Sequence, residues 1–177
     1  MHDTYLPTER DDGPGVRFIQ PALLDRLTLD PDNPRRAAEP ITPDDFKESL
    51  RRDLEWIFRA RCQPDHELLA QKYPLLASSA MNYGIPSFRD DTLASLRPQE
   101  VVAEFRRAIL RFEPRIRPSS LKVRIHEDSL AAQRTEGGCV LYLMIEGEAM
   151  GFPDPLAFRA KVNVATGECL VGDERRA

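Results

Sequence analysis

One junction constrains this chain more than any other feature: at Phe112-Glu113-Pro114-Arg115 the spacing of apolar residues changes from helical to strand-like. From Pro98 to Phe112, the residues Val101, Val102, Phe105, Ile109 and Phe112 fall on one side of a helix, with Glu104, Arg106, Arg107 and Arg111 largely on the other. Beyond the junction the period is two. Leu121, Val123 and Ile125 alternate with Lys122, Arg124 and His126, and Leu156, Phe158, Ala160, Val162 and Val164 alternate with Arg159, Lys161 and Asn163. Proline disfavours the helical region for the residue before it, so the helix ends near Phe112 and leaves Glu113 and Arg115 on an extended segment. Side chains two apart on such a backbone leave the same side, so these two charges either pair locally or together grip a partner. An exposed pair contributes little alone.

A second long helix precedes this one. Thr42-Pro43-Asp44-Asp45 supplies a capping hydroxyl, a proline at the first helical position and acids that suit the helix dipole. Phe46, Leu50, Leu54, Ile57 and Phe58 then form one apolar face running to about Arg61, where Gln63-Pro64-Asp65 stops the helix. Residues 64–97 read as a long connection, with a turn at Asn82-Tyr83-Gly84-Ile85-Pro86. Val140 to Ile145 is apolar on both faces, as suits a central strand, and Thr166-Gly167 turns the chain into a short last strand, Glu168 to Val171. The expected fold is α+β, with N-terminal helices packed on one face of a mostly antiparallel, three- to four-stranded C-terminal sheet.

Residues 1–41 are expected to stand apart: a mobile polar leader over 1–15, a short amphipathic helix from Pro21 to Thr28 carrying Leu23, Leu24 and Leu27, and a proline-rich linker from Asp30 to Pro40. Residues 42–172 form the single domain, and 173–177 a charged tail.

Composition decides mainly what to exclude. A formal net charge of -4, with basic and acidic residues interleaved, gives no footprint for nucleic acid. No stretch approaches the roughly 20 apolar residues that cross a bilayer. With no export signal, the expected location is the cytoplasm, where Cys62, Cys139 and Cys169 stay reduced. Cys62 and His66 have i, i+4 spacing, but Pro64 intervenes and no second ligand pair follows. His126 lacks a nucleophile motif, and Gly137-Gly138 enters a strand and opens no helix. Glu113, Glu127, Asp128, Glu146 and Glu148 offer carboxylates for glycoside cleavage, yet nothing in their spacing builds the required pair in a cleft. The expectation is no enzyme, no cofactor and no metal.

Four segments, taken in order over about residues 20 to 171, resemble one family: Leu23-Leu24-Asp25-Arg26-Leu27, Arg52-Asp53-Leu54-Glu55, Asn82-Tyr83-Gly84-Ile85-Pro86 and Phe112-Glu113-Pro114-Arg115. It is the TssE family of type VI secretion baseplate subunits, related to the wedge protein of contractile phage baseplates and often labelled lysozyme-like. Two departures stand out. Trp56-Ile57-Phe58-Arg59-Ala60-Arg61 replaces the family's Leu-Leu-Asn-Thr-Arg, and Ser87 stands where an Asp is usual.

The resemblance implies a non-catalytic cytoplasmic wedge component that joins the baseplate subunits TssF, TssG and TssK and offers a platform for contractile sheath proteins. It implies that Glu113, Pro114 and Arg115 help fix the subunit to the baseplate core, and that Leu23, Leu24 and Leu27 dock on a partner or on the chain's own core. The other readings open at this point are a phage or prophage baseplate wedge protein, a muramidase and a cytosolic adaptor.

Overall fold

The computed structural model describes residues 22–27, 41–63, 66–87, 98–126, 134–135, 138–152, 154–163 and 166–173. Two compact units divide the chain, residues 1–41 and 42–177. Within the first, α1 (Leu23–Leu27) is the described element, and Leu24 and Leu27 on it are exposed. The expected leader, the linker from Asp30 to Pro40, the side chain of Leu23 and tail residues 174–177 lie outside the described residues.

The second unit begins with α2 (Pro43–Arg59), and its start is made as the sequence dictates. The Thr42 hydroxyl accepts from the Asp45 amide at 3.1 Å, while the Asp45 carboxylate accepts from the Thr42 amide at 3.3 Å, a reciprocal cap that satisfies two otherwise orphaned donors. Phe46, Leu50, Leu54, Ile57 and Phe58 are all buried. Each such side chain contributes roughly 1.5–3 kcal/mol on leaving water. The helix ends at Ala60, whose extended backbone leads into β1 (Arg61–Cys62).

Residues 64–97 carry more structure than a connection. They contain α3 (His66–Lys72), α4 (Pro74–Ser78), a 3-10 turn over Ala80–Asn82, and β2 (Ile85–Pro86), which pairs in parallel with β1. Both helices are short, and Leu68 and Leu75 on them face solvent, so they have no apolar stripe that periodicity can detect. The turn at Gly84 is enforced by close approach. Gly84 has φ +110°, and a Cβ there would meet the Ala60 carbonyl oxygen at 2.3 Å, in the place where the Ile85 amide donates to that same oxygen.

α5 (Pro98–Phe112) crosses to the sheet and stops where the proline rule places its end. The sheet runs β3 (Lys122–Ile125), β5 (Gly138–Gly147), β6 (Leu156–Asn163), β7 (Cys169–Asp173), every neighbour antiparallel, with the two-residue β4 (Arg134–Thr135) also pairing on β5. The expected central strand is therefore internal. Its two faces differ: Leu141, Leu143 and Ile145 are buried, whereas Tyr142 and Met144 are only half-buried.

Leu121, Val123, Leu156, Phe158, Ala160, Val162, Cys169 and Val171 complete the buried face. α2 packs on β6 and β7 and α5 on β3, and the edge-to-face pair Phe58–Phe105, 4.9 Å between ring centroids, locks the two helices together. Gly167, with φ +81°, turns β6 into β7, its amide donating to the Asn163 carbonyl. Val164 lies outside the described residues.

Candidate functional site

The junction at residue 113 is held from three directions. Glu113 donates its amide to the Ile109 carbonyl, the last bond of α5, and its side chain turns inward, where the residue is 3% exposed. Pro114 and Arg115 form a turn, with Pro114 exposed at its tip. Arg115 and Ile116 then run beside the exit of β5: the Met150 amide donates to the Arg115 carbonyl at 2.8 Å, and Ile116 bridges to Ala149. The segment is thus a turn tied to the sheet, and not the extended, exposed stretch that residue spacing predicts.

The Arg115 guanidinium closes on Glu113 as a fork. Nε donates to Oε1 at 2.7 Å and Nη2 to Oε2 at 2.6 Å, while the Arg115 backbone amide donates to Oε1 at 3.1 Å. The same guanidinium crosses to α2, where Nη2 donates to Asp53 Oδ2 at 2.5 Å and Nη1 to Ser49 Oγ at 3.1 Å. The Ser49 hydroxyl donates in turn to the Phe46 carbonyl at 2.9 Å, and Arg115 lies over the Phe46 ring. Two-point contact on one carboxylate and one-point contact on another use the planar donor set in a way an ammonium could not. Burial by itself lowers the basicity of Arg115, but its bonds and proximity to Glu113 and Asp53 outweigh that and raise its pKa.

Around this core lies an aromatic and cationic rim. Arg52 donates to Asp53 Oδ1 from Nε at 3.2 Å and from Nη2 at 3.1 Å, and its guanidinium stacks 5.0 Å from the centroid of Trp56, which is 44% exposed. Tyr83 packs at a tilt on Phe112, 4.8 Å between centroids. Burial, followed by the Asp53 and Glu113 carboxylates, pushes its phenol up to about 12. Asn82 sits beneath, its Oδ1 accepting from the Gln63 amide at 2.9 Å. Arg52-Asp53, Asn82-Tyr83-Gly84 and Glu113-Pro114-Arg115, separate in sequence, therefore meet at one place.

The structure brings Glu113 and Arg115 together and leaves Pro114 on the surface beside them. Leu23, Leu24 and Leu27 belong to the other compact unit. Asp53 and Ser49 are the members that residue spacing misses. They lie four apart on α2 at the border of its apolar face; Asp53 also falls within the Arg52-Asp53-Leu54-Glu55 segment that carries the resemblance, whereas Ser49 gives no signal beyond its position. Elsewhere, Glu146 pairs with Arg124 and Glu148 with Arg117, on the surface. Cys62 and Cys169 are buried thiols, and burial foremost pushes Cys169 up to about 12, as suits inert groups. Among the described residues, no cluster of His, Cys, Asp and Glu could hold a metal ion. Glu127, Asp128, Gly137 and the side chains of His66 and Cys139 lie outside them.

Comparison with known proteins gives one family match. Residues 44–148, more than half of the chain, match the family described as baseplate wedge protein gp25. The matched span opens in the first turn of α2 and closes just after β5, so it contains all three converging segments. It is shorter at both ends than the stretch over which the motifs resemble a family. No curated protein and no solved structure matches the chain.

Proposed function

Because the chain belongs to the baseplate wedge protein gp25 family, we propose that it is a non-catalytic baseplate subunit of a bacterial type VI secretion machine, joining wedge subunits and giving the contractile sheath a place to start. The observation that carries this reading is the family match over the span that holds the Glu113-Pro114-Arg115 turn. TssF, TssG and TssK, with sheath proteins, are the proposed partners, and the cytoplasm is the proposed location. Among the described residues, no helix is long and apolar enough to cross a membrane.

The turn serves this role as a rigid protrusion. Its charges are spent internally on Glu113, Asp53 and Ser49, so the surface a partner meets is Pro114 with the exposed parts of Arg115, Arg52 and Trp56. Arginine and tryptophan are common anchors of interfaces. Sheath attachment by strand addition is supported at β3. The His126 amide donates to the Tyr142 carbonyl, which fixes the bonded register with β5 and turns the backbone groups of Val123 and Ile125 outward. Unchanged exchange of these two amides on adding sheath protein would count against that step.

The test is an affinity pull-down of the tagged chain from its own cell lysate, with partners identified by mass spectrometry, beside Pro114→Asp. This variant adds a charge at the exposed tip and leaves the Arg115 fork in place. Recovery of baseplate and sheath subunits by the natural chain, with loss of the baseplate subunits from an equally stable variant, is the expected result. A single unrelated partner would replace this reading with that of an adaptor, and recovery of phage wedge proteins would place the chain in a phage baseplate. A muramidase needs two carboxyls about 5–9.5 Å apart in a cleft, one of them free to deliver a proton. Glu146 and Glu148 are each engaged by an arginine, and release of sugar from peptidoglycan by the purified chain would overturn the non-catalytic reading.

A further inference from the structure

One stripe of α2 runs beside the turn at Pro114 and carries Ser49, Asp53, Trp56 and Ala60, whose helical spacing puts them on a shared side. The Ala60 amide donates to the Trp56 carbonyl, which keeps that spacing to the last turn. Gly84 packs on the end of the stripe: the Ile85 amide donates to the Ala60 carbonyl at 3.1 Å, and the place of a Gly84 Cβ lies 2.8 Å from the Ala60 Cβ. Tyr83, the residue before it, is thereby held over the end of α2, about 6 Å along the helix from Trp56. Its ring rests on Phe112, the residue before Glu113, so the two aromatics flank the ionic site.

Trp56 and Tyr83 also carry the donors that the site leaves unused. The Trp56 indole N–H and the Tyr83 hydroxyl have no hydrogen-bond partner among the described residues. No wholly buried side-chain nitrogen or oxygen among those residues lacks a partner, so the hydroxyl of half-buried Tyr83 reaches the surface. Between the rings, Arg52 pairs with Asp53, and Arg115 with both Asp53 and Glu113, so two cations neutralise two carboxylates. The surface thus offers two aromatic walls, two free donors and no net charge at its centre, with Arg111 stacked on Phe112 at the edge.

We propose that this surface seats a proline-bearing extended segment of a partner protein. In the polyproline II conformation such a segment has no internal hydrogen bonds, so its carbonyls are acceptors for the indole N–H and the phenol while its pyrrolidine rings lie on Trp56 and Tyr83. At about 3.1 Å per residue it covers the ~6 Å from one aromatic to the other in two residues. An amphipathic helix spends its carbonyls on its own amides and would leave both donors unanswered. A strongly charged peptide would find the counter-charges at the centre already paired. This assignment rests on the baseplate reading for the choice of surface and adds to it the chemistry of what the surface meets.

The test is fluorescence anisotropy of labelled decaproline with the purified full chain, read beside the emission of Trp56, the single tryptophan of the chain. Its controls are a glycine–serine peptide of the same length and a leucine–glutamate peptide whose leucines share one helical face. Decaproline is expected to shift the Trp56 emission to the blue and to bind at least about tenfold tighter than either control. Trp56→Phe and Tyr83→Phe each keep a ring and lose one donor. Each should weaken binding by about threefold or more, and the double variant by about tenfold, with an unchanged melting temperature. Equal binding of the glycine–serine peptide, tighter binding of the helical peptide, no binding of decaproline, or full binding by the double variant would each overturn the proposal. None of these results depends on whether baseplate subunits are recovered from lysate.

Discussion

α2 carries an ionic network on each flank, built from the same residue types, and they differ most in their outermost acids: the Glu113 side chain is 2% exposed and that of Glu48 is 65% exposed. On one flank Arg115 holds Glu113 and Asp53, and the Glu113 side chain is almost wholly withdrawn from water. On the other, Glu48, Arg51, Glu55 and Arg59 form a ladder at helical spacing, with Arg51 donating to Glu48 and Glu55, and Arg59 paired to Glu55 at 2.6 Å. The first network closes contacts 62 residues apart in sequence, and the second links residues three and four apart. A desolvated charge depends on its partner, whereas an exposed one has water as a substitute. Charge content alone says nothing about which of these a residue will experience.

The buried flank should show the largest effect. Removing Arg115 leaves Glu113 withdrawn from water without its counter-charge, so Arg115→Ala should lose about 3–5 kcal/mol in urea unfolding, and Glu113→Ala a comparable amount. This is far more than the little that an exposed pair contributes. Glu113→Leu/Arg115→Met should be less destabilised than either single alanine, because no charge is then stranded. A loss no larger than that of Glu48→Ala would erase the contrast between the flanks.

An intermediate effect is expected where the ladder, through half-buried Glu55, meets the core. The Cys169 thiol, raised from 9.0 to about 12 chiefly by burial and then by Glu55, keeps its proton in the folded chain at pH values where the unfolded chain has lost it. Stability linked to this group is thus fully present below pH 9 and falls as pH rises toward 12. Urea titrations across that range should show a shallower fall in Cys169→Ala. An identical fall in both proteins would assign the alkaline loss to other groups, Tyr83 among them.

The smallest effect belongs to the ladder itself. Glu48→Ala should cost about 0.5 kcal/mol or less, and that cost should shrink in high salt. A salt-insensitive loss above about 2 kcal/mol would mean that this flank is desolvated as well.

Much of the architecture was legible because it is set by neighbours within four residues. The Thr42 cap, the stop at Phe112 and the alternation through β3 and β6 are local rules acting locally. α3 and α4 escaped notice because they bury too little to leave a pattern. In the candidate site, the meeting of Glu113 with Arg115 was one of two arrangements the spacing allowed, and its burial was not legible at all. Asp53 and Ser49 join Arg115 only after α2 and α5 pack on the same sheet, so no window of sequence contains the information. The antiparallel order of the sheet was expected, but not its register, which pairs Arg124 with Met144 and Met144 with Arg159.

Two arginines of the ladder reach past their helix. The Asn163 amide donates to the Glu168 carbonyl, which fixes the bonded register of β6 with β7 and turns the carbonyls of Cys169 and Val171 to the outside of the sheet. Arg59 donates to the first at 3.0 Å and Arg51 to the second at 3.0 Å. An open strand edge invites a second copy to pair with it, and that hazard grows with concentration. With its outward acceptors occupied by guanidinium groups and a fixed positive charge beside each, β7 is a poor template for its own kind. Pairing of two copies through this edge is therefore disfavoured at the Cys169 and Val171 carbonyls.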